Sequence, residues 1–456
     1  METFDLIVIG SGAGDLVVNY AIDDGYKVAL ADQGPTGGTC LNTGCIPSKM
    51  LIYPADVIRA TQEAGSIGLT ATIKPDFAHI MERMRTFVDR ERRGMEEGLR
   101  RTKNLTFIQE VAEFTGPGTL RAGNRELTAP KIVIATGARA LIPPIPGLKE
   151  AGYLDNVSLL QLRELPKSLI IIGGGYIGCE FGHFFSAMGT EVTIINRPPV
   201  LLNDEDPEVS ETVTRVLSKY VQVQAGYEAE MVSKEGGKKV VHAKSKKDGT
   251  TTSFSADELL VALGRRSNAD LLKPEKAGIE VDRKGWIKVN QYLETNVPGV
   301  WAIGDVLGKY MFRHTANYHA EVVYNNLFKD DKVEVDEHAV PHAVFTHPQV
   351  GHVGMTEADA KAAGIKVLVG RAKYYQTAKG IAMHNHDGFV KLVVASDTKK
   401  ILGCSVVGPD AAVLVQQVAY MMNCGNQDLG PLYTTQVIHP AISEVVMRAF
   451  GNLEPA

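Results

Sequence analysis

Ser168-Leu169-Ile170-Ile171-Ile172-Gly173-Gly174-Gly175-Tyr176-Ile177-Gly178 runs a short apolar segment straight into a glycine cluster, and a helical pattern follows. Gly173-x-Gly175-x-x-Gly178 is a full GxGxxG placed between strand and helix. Glycines at this spacing allow a tight turn, close approach of a pyrophosphate to the backbone, and close helix–strand packing. The N-terminus of the following helix then offers unpaired N–H groups and a positive dipole end to phosphates. A continuous apolar strand of this kind suits a parallel sheet covered on both faces.

The design occurs twice. Asp5-Leu6-Ile7-Val8-Ile9 leads into Gly10, Gly12 and Gly14, about 160 residues earlier. This first copy carries Asp15 where the third glycine of the fingerprint is expected. A carboxylate there is unfavourable beside a phosphate unless its side chain turns away. Asp32 ends the next strand, where an acid binds a ribose hydroxyl. At the equivalent place in the second copy, Val192-Thr193-Ile194-Ile195-Asn196-Arg197, the acid is absent and an arginine follows. A guanidinium suits a 2′-phosphate through charge-assisted hydrogen bonds, which favours NADPH over NADH at this site.

Two such units in 456 residues, with 44% hydrophobic and 22% charged residues, describe a multidomain globular chain. The expected architecture is α/β, with two Rossmann-like domains and a C-terminal α+β domain. Its expected boundaries are 1–147 for the first dinucleotide domain, 148–266 for the second, 267–338 for the return of the first, and 339–456 for the last. Pro143-Pro144-Ile145-Pro146-Gly147 marks the first crossing, and β-type runs such as Gly388 to Val394 mark the last domain. Dense Arg and Glu at helical spacing over residues 75–103 read as a solvated helix face. A net charge of −5 gives no reason to expect nucleic acid or anionic lipid as a partner. The acidic start Met1 to Asp5 and the lack of a long apolar run point to a cytoplasmic protein that does not enter a membrane.

Cys40 and Cys45 stand in Gly37-Gly38-Thr39-Cys40-Leu41-Asn42-Thr43-Gly44-Cys45-Ile46-Pro47-Ser48-Lys49. Five residues of regular helix advance roughly 7.5 Å, whereas bridged Cα atoms are usually within about 6.8 Å. A bridge here needs a distorted turn, for which Gly44 supplies backbone freedom. Its loop is too short to stabilise the fold much, so its use lies in opening and closing. A metal site is the rival reading, but Cys179, Cys404 and Cys424 lie in unrelated contexts, so no metal is expected. Two inert core cysteines are the other.

The stretch Gly37 to Lys49 resembles the active-site signature of the pyridine nucleotide-disulfide oxidoreductases. That group includes glutathione reductase, dihydrolipoyl dehydrogenase, mycothione reductase and mercuric reductase. Lys131 to Gly137 resembles the family's strand–turn closing the FAD domain, with Thr136 and Gly137. Leu263-Gly264-Arg265-Arg266 resembles the exit from the NAD(P) domain, and Ala302-Ile303-Gly304-Asp305 the motif whose Asp binds the ribityl chain. The resemblance covers nearly the whole chain. It implies FAD at the first site, with Gly38, Thr39 and Lys49 beside it, and NADPH or NADH at the second.

By the same resemblance Cys45 lies against the flavin as the charge-transfer thiolate, and Cys40 is the interchange thiol. Tyr176 resembles the aromatic lid over the flavin, and Lys49 and Glu180 a charge pair near it. His439 in Val437-Ile438-His439-Pro440-Ala441-Ile442-Ser443-Glu444 resembles the family's catalytic histidine, with Glu444 as its carboxylate partner. Thiol–disulfide exchange needs a thiolate and a proton for the leaving thiol, both within reach of an imidazole near neutrality. In the family this dyad comes from a second subunit, which implies a homodimer with shared active sites. His347 reads as structural, and His314 has no assigned role.

Three functions compete: reduction of a small thiol disulfide by NADPH, oxidation of dihydrolipoamide by NAD, and a flavoprotein binding subunit with vestigial redox chemistry. Asn196-Arg197 and the surroundings of Tyr53, similar to mycothione reductases, favour the first. Cys45-Ile46-Pro47-Ser48-Lys49, common among dihydrolipoyl dehydrogenases, favours the second. The chain ends Gly451 to Ala456 without the extra cysteine pair usual in mercuric reductases.

Overall fold

A computed structural model describes residues 1–456. The chain divides into two compact units: Met1–Met50, Met81–Leu141 and Gly264–Asp336 form the first, and Leu51–Ile80, Ile142–Leu263 and Glu337–Ala456 the second.

The first unit is organised on a five-stranded parallel sheet in the order Val300–Ala302, Ile132–Ile134, Leu6–Ile9, Val28–Ala31, Leu105–Ile108. Successive residues of these strands enter different cores. Ile7, Ile9, Ala29, Ala31, Ile132 and Ile134 join one apolar cluster, while Leu6, Val8, Val28, Leu30 and Val133 join another. The period of two, with both sets buried, is why these strands read as unbroken apolar runs. One of the two clusters includes residues of the helices Gly14–Asp23 and Arg313–Phe328. The other lies toward a four-stranded sheet in the order Glu2–Thr3, Arg125–Thr128, Thr119–Ala122, Ala112–Gly116.

The second unit holds a four-stranded parallel sheet, Gln222–Ala225, Glu191–Asn196, Ser168–Ile172, Glu258–Val261, and an antiparallel three-stranded sheet over Tyr227–Ala256. It also holds a six-stranded antiparallel sheet in the order Pro341–Val344, Val350–Gly354, Ile401–Val407, Phe389–Ala395, Val367–Lys373, Leu453–Pro455. Helices Ala411–Met422 and Glu444–Gly451 bury Leu414, Val415, Val418, Val445 and Ala449 in one cluster with that sheet. The charged run near residue 90 is the helix Phe77–Arg101, laced with ion pairs such as Arg100–Glu96 (2.9 Å). No helix is long and apolar enough to cross a membrane.

The two glycine turns have the same geometry. Gly10 has φ +105° and Gly173 φ +115°. A Cβ on either would stand 2.3 Å from a carbonyl oxygen of the neighbouring strand's exit, Ala135 in one case and Ala262 in the other. At Gly178 a Cβ would meet the Gly173 oxygen at 2.0 Å, so helix and turn touch through backbone. Gly178→Ala is expected to destabilise the second unit by about 1–3 kcal/mol through overpacking, measured as a lowered midpoint of thermal unfolding.

Candidate active site

Cys40 lies in a short helix, Gly38–Asn42, and Cys45 opens the helix Cys45–Glu63. Between them Thr43 leaves helical geometry at φ −144°, which is the distortion the spacing required. Gly44 serves it differently from expectation. Its φ is not left-handed; instead a Cβ there would press on the Thr39 oxygen at 2.9 Å and its methyl at 3.1 Å. The glycine is needed for the close approach of this turn to Thr39.

Both cysteines are thiols in this structure. Their electrostatics are asymmetric. A hydrogen bond from Cys40 pulls the Cys45 thiol down to about 7 against the opposing effect of burial, with Lys49 and Arg313 adding positive charge. The same bond, together with burial, drives Cys40 up. The pair is therefore asymmetric, with Cys45 the easier of the two thiols to ionise. Cys179 and Cys404 are buried and pushed well above the thiol range by desolvation, so they are inert by comparison.

Around the first glycine turn the expected residues gather. A Cβ on Gly38 (φ +61°) would lie 2.9 Å from the Gly12 Cα, so two backbone loops meet without side chains between them. Asp32 ends its strand as expected, but its carboxylate is already engaged. Oδ2 accepts from Ser11 N and Oγ (2.6 Å each), and Oδ1 from Gly34 N (2.7 Å). Ser11 Oγ in turn accepts from Gly37 N (2.9 Å), tying the fingerprint to the loop before Cys40. Asp15 occupies the first turn of helix Gly14–Asp23; it accepts from Asn19 Nδ2 (3.3 Å), and burial raises its carboxyl. Gly14 takes over the packing role expected of a third glycine, since a Cβ there would meet Val8 at 2.7 Å.

This unit also holds polar atoms that protein does not satisfy. Thr136 Oγ1, at the exit of strand Ile132–Ile134, and Thr315 Oγ1, in the first turn of helix Arg313–Phe328, are buried without a partner, as is Arg265 Nε. Asp305 follows Gly304 (φ +71°); burial raises its carboxyl, with Arg265 at 3.7 Å opposing. Asn268 donates to the Thr136 carbonyl (2.8 Å), and Gly137 and Gly264 carry left-handed turns at φ +66° and +108°. Buried orphan donors and acceptors beside a side-chain-free cleft fit a long polar group such as FAD.

In the second unit Tyr176 starts the helix Tyr176–Met188 and is 40% exposed. Glu180 is buried one turn later and accepts from Phe345 N (2.9 Å). Asn196, read from sequence only as a missing acid, is buried and committed. It accepts from Gly174 N (3.0 Å) and donates to the carbonyls of Pro198 (3.2 Å) and Val200 (2.7 Å), bracing the glycine turn. Arg197 projects from the rim, 70% exposed and 3.7 Å from Glu228. His439 Nδ1 donates to Glu444 Oε1 (2.8 Å), since a carboxylate only accepts. The hydrogen bond from His439 lowers Glu444. The imidazole is 69% exposed and its Nε2 has no partner in this chain. His347 pairs with Glu63 (2.8 Å), as a structural histidine does, and His314 stacks on Phe312. Arg313, Asn268 and Thr315 lie outside the motifs and gave no signal, whereas Ser11 sits inside the first fingerprint.

The family profile "Pyridine nucleotide-disulphide oxidoreductase" matches residues 4–320, and its dimerisation domain matches residues 340–450. The chain belongs to this family. It is therefore an oxidoreductase of a class that depends on FAD and works with NAD(P)H. Mycothione reductase of Mycobacterium tuberculosis is 35% identical over 99% of this chain and 100% of its own. Mercuric reductase of Staphylococcus aureus is 32% identical over 92% of this chain and 77% of its own, and dihydrolipoyl dehydrogenase of Chlamydia muridarum 31% over 97% and 95%. The Cu(II) complex of the HOCl-induced flavoprotein disulfide reductase RclA from Escherichia coli superposes with a TM-score of 0.87 at 31% identity, covering 99% of both chains. As a family member, this oxidoreductase also carries the dimerisation domain at its C-terminal end.

Proposed function

We propose that this oxidoreductase uses NADPH to reduce a small thiol disulfide through Cys40 and Cys45. The observation that carries the reading is the asymmetric cysteine pair, joined across the distorted turn at Thr43, in which Cys40 pulls the Cys45 thiol down to about 7. In this reading residues 1–147 and 267–338 form the FAD domain, 148–266 the NADPH domain and 339–456 the dimer interface. Gly10, Gly12, Gly14, Asp32, Gly38, Thr39, Lys49, Thr136, Gly137, Gly264, Gly304 and Asp305 would hold FAD. Gly173, Gly175, Tyr176, Gly178 and Arg197 would hold NADPH. FAD, when bound, supplies the two-electron relay between the nicotinamide and the cysteine pair.

The residues carry the rest. Nε2 of His439 of the partner subunit takes the proton from Cys40. The Cys40 thiolate attacks one sulfur of the substrate disulfide and forms a mixed disulfide, and the departing thiol takes the proton back from the imidazolium. Cys45 then attacks Cys40, releasing the second thiol, which takes a proton from solvent, and closing the Cys40–Cys45 bond. Each cycle consumes one NADPH and one proton and yields two thiols. Glu444 holds the imidazole tautomer, as a buried carboxylate does in a hydrolase triad. Lys49 and Glu180 would each bring a charge toward the cofactor.

NADPH is favoured over NADH because Asn196 spends its side chain on the Gly174 turn, leaving no acid for a ribose 2′-hydroxyl, while the next residue is the exposed Arg197, whose loose contact with Glu228 (3.7 Å) a 2′-phosphate could replace. Arg197→Ala is expected to raise KM for NADPH about tenfold, the weight of one charge-assisted contact, and to leave NADH unchanged. Steady-state kinetics with both nucleotides checks this; equal effects on the two would remove Arg197 from the site. A turnover screen of small thiol disulfides and lipoamide with each nucleotide tests the function. Fast reduction of a symmetric thiol disulfide by NADPH supports it, and dihydrolipoamide oxidation by NAD as the sole efficient reaction overturns it.

A further inference from the structure

Helix Arg313–Phe328 buries Ala316, Ala320, Val323 and Leu327 in an apolar cluster of the first unit, and His319 stands among them at 1% exposure. A polar ring on the apolar face of a helix is costly unless its nitrogens are hydrogen-bonded. His319 Nδ1 accepts from the backbone N–H of Gly304 (3.3 Å). That N–H needs a partner. Strand Val300–Ala302 ends its pairing just before it, with Ile303 N donating to the Ile134 carbonyl (2.9 Å). Gly304 then opens the short turn Gly304–Leu307, whose first N–H has no acceptor within the turn, and the preceding Ile303 offers no side-chain cap. The imidazole takes the place of that cap from 15 positions away. The same helix face holds the turn a second way. Ala316 lies one turn before His319, and a Cβ on Gly304 (φ +71°) would stand 3.0 Å from the Ala316 Cβ. Gly304 therefore rests directly on Ala316 while His319 holds its N–H. Because a backbone N–H only donates, Nδ1 carries no proton, and the ring is neutral with its proton on Nε2.

We propose that His319 is a positioning residue for the FAD site, whose Nδ1 caps the Gly304–Leu307 turn and so fixes Asp305, the second residue of that turn. The inference rests on the reading that Gly304 and Asp305 hold FAD. Only 21% of the Asp305 side chain is exposed. A ligand hydroxyl meets such a carboxylate from a narrow range of directions, and a hydrogen bond weakens steeply as its angle departs from linear. Without the Nδ1 acceptor the Gly304 N–H is buried and unpaired, so the turn shifts to recover a partner and takes Asp305 with it.

The shape of the ring supplies the test. Asparagine places its Oδ1 where Nδ1 lies, whereas the amide of glutamine falls one bond farther out, near the place of Nε2. FAD affinity is read from the flavin fluorescence that appears on serial dilution of the holoenzyme. His319→Gln is expected to raise the FAD dissociation constant about tenfold, the weight of a buried donor left unpaired, and His319→Asn to stay within about twofold of the wild type. Wild-type affinity in His319→Gln overturns the capping role. So does a loss of that size in His319→Asn, which keeps the acceptor, whether or not the glutamine variant can be purified. Asp305→Ala separates this inference from the reading beneath it. If Asp305→Ala binds FAD as the wild type does, the assignment of Gly304 and Asp305 to the cofactor fails, and the role of His319 with it. If Asp305→Ala loses affinity while His319→Gln does not, the His319 proposal alone falls.

Discussion

Replacing His439 with alanine is expected to lower disulfide turnover by about 10²–10⁴-fold, the usual weight of a positioned acid–base group, while FAD content is retained. The exposed imidazole has one nitrogen committed to Glu444 and the other free in this chain. In the proposed cycle it takes the Cys40 proton and returns it to the leaving thiol, and water is a poor substitute for either task. Reduction of the Cys40–Cys45 disulfide by NADPH does not need that proton transfer to substrate, so this half of the cycle should run at near wild-type rate in stopped-flow experiments. Glu444→Gln keeps the shape but loses the charge that fixes the tautomer, and a loss of about tenfold is expected. Near-normal turnover of His439→Ala would remove His439 from the mechanism.

The second large effect is on stability. Lys391, from the strand Phe389–Ala395, is 5% exposed, and its Nζ meets Asp206 Oδ2 (2.8 Å), Glu208 Oε1 (2.9 Å) and Glu357 Oε2 (3.0 Å). Arg371 bonds Glu208 (2.7 Å) and Glu357 (3.2 Å), and Lys361 bonds Glu357 (2.8 Å). Three cations thus face three carboxylates. Lys391→Met leaves the almost fully buried Asp206 without its cation. Breaking a buried pair from one side costs about 3–5 kcal/mol, enough to unfold this unit at moderate temperature.

The pH dependence carries a sign. Its bond to Lys361, with Lys391 and their charges adding to it, pushes Glu357 down to about 2. A carboxyl lowered on folding adds stability that is complete above its unfolded range and is lost as pH falls toward 2. The raised Lys391 contributes until pH climbs through its folded value, above the ordinary lysine range. The deficit of Lys391→Met should therefore be largest near neutrality and shrink as the pH falls and Glu208 and Glu357, both held low in the intact cluster, take up protons. Urea unfolding at several pH values measures it, and a pH-independent deficit would mean lost packing.

What was legible in the sequence is what backbone chemistry makes local. Gly10, Gly173 and Gly178 sit where a Cβ would strike a carbonyl oxygen, so no other residue serves and the fingerprints stand out. Cys40 and Cys45 were legible because few local structures bring sulfurs five positions apart together. Gly44 was noticed for the wrong reason: proximity to Thr39, invisible in one dimension, is what excludes a side chain. Asn196 looked like an absence and is a brace, because its partners are carbonyls that carry no sequence signal. Lys391 and Asp206 are separated by 185 positions, and the link between Ser11 and Asp32 depends on strand order.

The most direct test is an anaerobic titration of the FAD-loaded enzyme with NADPH, counting free thiols by differential alkylation at each addition. The proposed path predicts that the first equivalent exposes two new thiols per subunit, at Cys40 and Cys45, and leaves the labelling of Cys179, Cys404 and Cys424 unchanged. If that equivalent bleaches the flavin with no thiol appearing, the electrons do not pass to this cysteine pair, and the account is wrong.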